Sequence, residues 1–372
     1  MTIGFDAKRA LNNGSGLGNY SRNLLNALMQ HFPNEEYLLF SPKVKEEFFN
    51  QLNGQFKIAL PETNLQKSFH PIWRSFGIKN DLQKHRVDFY HGLSNELPLT
   101  THHSPLATVV TIHDLIFIKH TEQYPFADRQ IYKLKTKYAT KHAHKIIAVS
   151  HQTKNDLMEL YGVKEERIEV IYPIVDVLFQ TTDWTQQTTE IKKYNLPAKY
   201  ILNVGSFFTR KNQRTLIDAF DRIKNKIEED LVLVGGAGNM KNEIEALIVK
   251  KNLQTRVKIL SDVSNEDLPS LYKSASAFVF PSLYEGFGMP IVEALFSKVP
   301  VIATKGGCFE EAGGKNSLYI NPVSTQEIAD ALLKVLNNES LKTQMIEAGY
   351  AHANTMTGKT IAEKMMYVYK KV

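Results

Sequence analysis

Short, nearly continuous apolar runs recur along the chain, separated by longer stretches whose apolar residues have helical spacing. In the first half the runs are Ile3–Asp6, Tyr37–Phe40, Asp88–Tyr90, Thr108–Ile112, Lys145–Val149 and Ile168–Ile171. Runs of this kind predict buried strands. Tyr20, Leu24, Leu25 and Leu28 predict a helix over Asn19–Gln30, and Ser150 predicts a capped helix that runs to Tyr161. The intervening NNGSGLG, Asn12–Gly18, predicts a flexible loop.

The second half repeats the alternation. Strands are predicted at Tyr200–Val204, Leu231–Val234 (running into GGAG), Val257–Ile259, Ala277–Phe280, Val299–Ala303 and Leu318–Ile320. Helices are predicted at Gln213–Ile227, Asn242–Lys251, Asn265–Lys273, Thr325–Leu336, Ser340–Ala353 and Ile361–Tyr369. Alternation in both halves predicts an α/β protein with two Rossmann-like, doubly wound parallel sheets. The expected division is an N-terminal domain over 1–172, a linker over 173–196 where periodicity lapses, a C-terminal domain over 197–355 and a last helix within 356–372. Ligands of such sheets sit at the carboxyl ends of strands, and each candidate site residue below follows a predicted strand.

Composition narrows the class. The chain has 372 residues, 43% hydrophobic and 23% charged, as in a globular enzyme. Its one cysteine, Cys308, excludes a disulfide framework within the chain and suggests a reducing compartment. The start MTIGFDAKRA lacks the apolar run of a signal peptide, and no apolar stretch reaches bilayer length, so a cytoplasmic protein is expected. The net charge of +6 is too diffuse to imply nucleic acid. One pattern is sharper: from Arg129 to Lys145 there are six Lys or Arg and no acids. Arg129, Lys133, Lys137, Lys141 and Lys145 recur every four residues, which on a helix makes a basic stripe, with Ile131, Leu134 and Tyr138 on another face to pack inward. An ordinary solvated face is the commoner meaning; the alternative is a surface that meets anionic lipid or an anionic acceptor.

The chemistry concentrates in FPSLYEGFGMPIVEA, Phe280–Ala294. A strand ends at Pro281, a glycine loop follows, and Pro290 opens a helix, where its missing N–H costs nothing. A glycine loop leading into a helix N-terminus suits a phosphate. Glu285 and Glu293 beside it suit sugar hydroxyls, Glu293 a ribose diol and Glu285 the transferred sugar. In GSFFTRKN, Gly205–Asn212, adjacent Arg210 and Lys211 at a helix start oppose the helix dipole and need an anion, which a diphosphate supplies. Gly14, Gly16 and Gly18 allow backbone to approach a bulky ligand. GSGLGN is not a dinucleotide fingerprint, because Asn19 stands where a glycine belongs and no acid closes the second strand. His113, ending VVTIHD, is placed to donate to a sugar hydroxyl or a developing charge, and His91 in YHGLSNELP is a weaker parallel. There is no Asp-x-Asp and no His/Cys cluster with ligand spacing, so neither a metal nor a cofactor is expected.

These residues resemble the bacterial family 4 glycosyltransferases, along essentially the whole chain. Glu285 and Glu293 match the family's E-x7-E inside a nearly complete EGFGxPxxEA. GLGNY resembles the family's N-terminal glycine loop with Asn19 for the usual Arg. HDL at His113–Leu115 and AVS at Ala148–Ser150 also match, and CFEEAGGKNSLYINP is similar to PEVxGxxxxLxxxP with Glu311 at the Glu position. Ser206 stands where an Arg is common, which throws the phosphate contacts onto Arg210 and Lys211. The resemblance implies the GT-B fold: two facing Rossmann-like domains, the N-terminal one for acceptor and the C-terminal one for nucleotide sugar, with the last helix crossing back onto the first domain through Met365, Met366, Tyr367 and Tyr369. It implies a metal-independent, retaining transfer of a hexose from GDP-mannose or a UDP-sugar, mannose favoured, to a glycan or lipid-linked hydroxyl in cell-surface polysaccharide or lipopolysaccharide synthesis. His113, Glu285, Arg210 and Lys211 would carry the reaction. Gly16, Gly18, Gly205, Arg210, Lys211, Glu285, Gly286, Phe287, Gly288 and Glu293 would hold the donor. Peripheral contact with an anionic membrane would run through Arg129, Lys133, Lys137 and Lys141. The rival readings are a non-catalytic sugar-nucleotide-binding partner, and a nucleotide-sugar epimerase or phosphorylase of the same fold.

Overall fold

A computed structural model describes residues 1–100, 106–180, 192–236 and 238–372. The chain divides into two compact units. Unit 1 is Met1–Ile174 with Met356–Val372; unit 2 is Val175–Thr355. Each is built on one wholly parallel sheet.

The sheet of unit 1 contains β1 (Thr2–Asp6), β2 (Glu36–Phe40), β3 (Lys57–Ala59), β4 (Phe89–Gly92), β5 (Ala107–Ile112), β6 (Lys145–Ala148) and β7 (Ile168–Val170), in the order β3-β2-β1-β4-β5-β6-β7. That of unit 2 contains β8 (Tyr200–Val204), β9 (Asp230–Val234), β10 (Val257–Leu260), β11 (Ala277–Phe280), β12 (Val301–Thr304) and β13 (Leu318–Ile320), in the order β10-β9-β8-β11-β12-β13. Helices cover both faces of a parallel sheet, which is why Leu231–Leu233 and Ala277–Val279 are apolar without alternation and fully buried. In each unit the strand order reverses beside the first strand, between β1 and β4 and between β8 and β11. The crevice at such a reversal is where doubly wound sheets take ligands.

Several expectations shift in detail. The loop at Asn12–Gly18 is shorter, because Lys8–Asn12 forms a helical turn and the next helix already spans Gly16–His31. The buried Arg22 guanidinium stitches this turn, donating to the carbonyls of Ala10 (2.8 Å) and Asn13 (2.9 Å) and to Asn19 Oδ1 (2.5 Å). A Cβ on Gly18 would fall 1.8 Å from the Asn13 carbonyl oxygen, so only glycine fits, whereas one on Gly16 meets open space. β3 was not foreseen; three residues carry no readable period. Of the stretch expected as linker, Phe179 packs edge-on against Tyr272 at 5.5 Å within unit 2, Tyr194 donates to Asp267 at 2.6 Å, and residues 181–191 lie outside the described residues, as does Ala237 of GGAG.

The last helix, Gly358–Tyr369, belongs to unit 1. Met365, Met366, Val368 and Tyr369 join Leu24, Leu25 and Leu28 of Gly16–His31 in one core. Tyr367 falls on the opposite face, is 58% exposed and anchors nothing there. The basic helix spans Phe126–His142, so Lys145 is not on its stripe but begins β6. Its inward face is Thr136, Ala139 and Thr140, with Tyr138 alone of the three expected apolar residues packed against the core. Ile131 and Leu134 point outward, with Leu134 68% exposed.

Candidate active site

In unit 2 the site grows from the ends of β8 and β11. After β8, Gly205 donates its N–H to Val234 O at 2.8 Å and accepts from Gln213 Nε2 at 3.2 Å, and its missing side chain leaves room beside the Lys211 stem. Thr209–Lys211 form a single tight turn closed by Asn212, whose left-handed conformation suits asparagine. Asn212 Nδ2 donates to Pro281 O (3.1 Å) and Pro322 O (2.7 Å), fastening the turn to the loop after β11. Arg210 and Lys211 therefore precede the helix Gln213–Ile223 instead of starting it.

The turn delivers both cations to one carboxylate oxygen. Arg210 Nη1 lies 2.5 Å, Lys211 Nζ 2.6 Å and Ser282 Oγ 2.6 Å from Glu285 Oε1. Lys211 also sits 5.0 Å over the Phe280 ring. Burial alone would raise the Glu285 carboxyl, but Lys211 and Arg210 outweigh it and hold the group below the usual carboxylate range. Lys211 moves the other way: burial pulls its ammonium down, and Glu285, shared with Arg210, does not restore it. Among the described residues two cations share this one anion, which leaves a surplus positive charge in a buried place. Arg210 Nε, moreover, is buried and has no hydrogen-bond partner among the described residues. Buried donors are rarely left unpaired, so the arrangement is set for an incoming anion.

The loop continues through Gly286 and the buried Phe287 to Gly288, which takes a φ of 117° and caps the helix Met289–Phe296 without a side chain. Its first N–H groups are thereby left without a side-chain cap. Glu293 on this helix accepts from Tyr272 OH at 2.8 Å. Burial, with help from Asp176, pushes its carboxyl up to about 7 against the opposing effects of Tyr272 and Lys211.

In unit 1, His113 follows β5. Its Nε2 donates to Leu93 O at 2.8 Å, and its N–H to Asn95 Oδ1 at 2.9 Å. A carbonyl can only accept, so the proton sits on Nε2 and Nδ1 keeps the lone pair. Burial, aided by Arg9, lowers the ring to about 4, so it is neutral near pH 7. In this tautomer the free lone pair of His113 Nδ1 can accept a hydrogen bond and not donate one, the reverse of the donor its position in the chain suggested. His91 lies inside β4 and not at its end; it is fully buried with both nitrogens engaged, which removes it from the candidates.

Glu285, Arg210 and Lys211 fall in one unit, as their motifs imply, but nothing local in those motifs signals that the three form one ion cluster. Ser282, Asn212 and Tyr272 join the site without having been candidates from the sequence. Ser282 was within reach, three residues before Glu285 in the same motif; Tyr272 carries no local signal.

The whole chain superposes on solved glycosyltransferases of the two-domain GT-B fold. A Rickettsia africae glycosyltransferase matches with a TM-score of 0.78 at 20% identity, over 100% of this chain and 98% of that one. Anabaena HepE, solved in complex with UDP-glucose, matches with a TM-score of 0.79 at 19% identity, over 100% of both chains. Residues 14–178 match the model of Glycosyltransferase Family 4, and residues 186–352 that of Glycosyl transferases group 1. The O-antigen chain mannosyltransferase RfbU of Salmonella typhimurium is 30% identical over 83% of this chain and 84% of its own length. The O-antigen chain mannosyltransferase B of Escherichia coli is 26% identical over 96% of each. The chain belongs to the group 1, family 4 glycosyltransferases, and it is a glycosyltransferase.

Proposed function

We propose that this enzyme transfers a hexose, mannose being favoured, from a nucleoside diphosphate sugar to a hydroxyl of a glycan or lipid-linked acceptor in cell-surface polysaccharide synthesis, with retention at the anomeric carbon. The observation that carries the proposal is the pair Arg210 and Lys211 on one oxygen of Glu285, with a surplus positive charge and a buried Arg210 Nε that has no partner among the described residues. In this reading the donor's diphosphate completes the cluster. Departure of the nucleoside diphosphate then places growing negative charge against fixed cations and the N–H groups after Gly288, an electrostatic clamp that needs no reorganisation. Glu293 takes the ribose diol, Glu285 orients the sugar, and Gly205, Gly286 and Phe287 shape the walls. Unit 1 holds the acceptor and, through Gly16, Gly18 and His113, the sugar end of the donor. Mannose and the polysaccharide setting are supported by the names of the two mannosyltransferase relatives. A thermal-shift screen of GDP, UDP and ADP tests the donor: the cognate diphosphate stabilises by RT ln(1 + [L]/Kd), about 2.7 kcal/mol at a hundredfold excess over Kd. Silence from both GDP and UDP overturns the reading, and an inverted anomeric proton in the product overturns retention.

The same reading places the enzyme in the cytoplasm, touching the inner face of the membrane where a lipid-linked acceptor resides. Among the described residues no helix is long and apolar enough to cross a membrane. On Phe126–His142, Lys137 and Lys141 are exposed and Arg129 and Lys133 half-exposed, interleaved with exposed Phe126, Ile131 and Leu134. Exposed basic and apolar groups on one helix suit an anionic bilayer. Vesicles containing phosphatidylglycerol should co-sediment the enzyme and release the triple variant K133E/K137E/K141E; equal binding by both overturns membrane contact.

A further inference from the structure

Beneath the carboxyl edge of unit 1's sheet, a connected line of buried polar side chains ends on His113. Tyr369 OH lies 2.6 Å from His91 Nδ1. His91 Nε2 lies 2.9 Å from Thr111 Oγ1, which lies 3.2 Å from Tyr20 OH. The Tyr20 ring meets the His113 ring at 90°, centroids 4.5 Å apart. The line draws on four elements: the last helix, β4, β5 and the helix Gly16–His31. His91 and Thr111 have no exposure at all. Apolar residues would fill these places without the desolvation that buried hydroxyls and imidazoles must offset.

What the line accomplishes is visible at its end. The His113 ring is held at Nε2 by the Leu93 carbonyl and at its side by the edge-on Tyr20 ring. Rotation of the imidazole is blocked twice, and Nδ1 is left without a partner among the described residues. Tyr20 is in turn held by the hydroxyl of Thr111, Thr111 by His91, and His91 by Tyr369. We propose that Tyr20 is a positioning residue for His113, and that Tyr369, through His91 and Thr111, makes the C-terminal helix part of the support that aims the His113 lone pair. The proposal rests on the reading of His113 as a group that meets the donor sugar.

A double-mutant cycle tests it, with Tyr20→Leu, Tyr20→Phe and Tyr369→Phe each made in the wild type and in His113→Ala, using GDP-mannose or UDP-glucose, whichever the full chain turns over. In the wild type, Tyr20→Leu lowers kcat about tenfold while donor KM stays within about twofold, since small misplacements cost rate before affinity. Tyr20→Phe, which keeps the ring, restores most of the loss, and Tyr369→Phe costs about threefold. In His113→Ala all three effects shrink below about twofold, because nothing remains to position. Equal losses in both backgrounds overturn the positioning role while leaving His113 in place. An undiminished kcat in His113→Ala instead overturns the reading of His113 itself. Should Tyr20→Leu fail to fold, the two hydroxyl deletions, with melting temperatures within a few degrees of wild type, carry the same comparison.

Discussion

The two sheet edges differ in what they leave unfinished. At the edge of unit 2, Arg210 and Lys211 share one carboxylate oxygen, and the buried Arg210 Nε has no acceptor among the described residues. At the edge of unit 1, His113 is neutral, and its backbone N–H and Nε2 each have a fixed acceptor. Among the described residues the first edge brings two cations onto one carboxylate oxygen, where an added anion would be stabilised. The second is complete and offers a pre-aimed lone pair. The two edges thus differ in kind, one marked by charge and the other by geometry.

The contrast breaks most visibly in rate. Glu285→Ala or Lys211→Ala should lower kcat/KM by about 10²–10³, the loss typical of one transition-state donor, or about 2.7–4 kcal/mol. His151→Ala, on the outer helix His151–Tyr161, should stay within about twofold. Steady-state kinetics of all three decides the matter, and equal activities refute the cluster's role.

Next in size is a pair of glycines in unit 1. Gly18→Ala forces a Cβ onto the Asn13 carbonyl and should cost about 1–3 kcal/mol in urea unfolding. Gly16→Ala, with open space and a helical backbone, should be neutral or stabilising by up to about 1 kcal/mol. Equal losses would show that the stitched loop is not the constraint.

The smallest expected effect is a pair of opposite pH slopes. Glu293 is raised from 4.5 to about 7, so between those values the native state holds its proton more readily than the unfolded chain. Its contribution to stability falls as pH rises through that window and is level above it. His91 and His113 are lowered from 6.5 to about 3 and about 4, so their contribution falls as pH drops below about 6.5. Hydrogen exchange corrected for intrinsic rates should show unit 1 loosening from pH 7 to pH 5. Replacing Glu293 by Gln should flatten the opposing trend in unit 2. A slope in unit 2 unchanged by Glu293→Gln would remove that carboxyl as its source.

Both sheets and the loop of Glu285 were legible because periodicity and motif are local properties. FPSLYEGFGMPIVEA contains its own strand end, glycine turn and helix start. What was not legible depends on partners far away in the chain. His113 reads as a donor until Leu93 claims its Nε2 proton. His91 reads as a strand-end histidine until Tyr369, 278 residues on, is found against it. Ile131 and Leu134 read as core until Thr136, Ala139 and Thr140 turn inward, a choice set by what the helix packs on. β3 is too short to show any period.

The surplus charge around Glu285 is proposed to receive the donor's diphosphate. Calorimetric titration of the cognate nucleoside diphosphate and of its bare nucleoside into wild type, Arg210→Ala and Lys211→Ala tests it directly. Each substitution should weaken the diphosphate by about 10–100-fold, as for a lost charge-assisted bond of about 1.5–3 kcal/mol, and leave the nucleoside within about twofold. Diphosphate affinity that survives both substitutions, or falls in step with the nucleoside's, rules out the cluster as the diphosphate site.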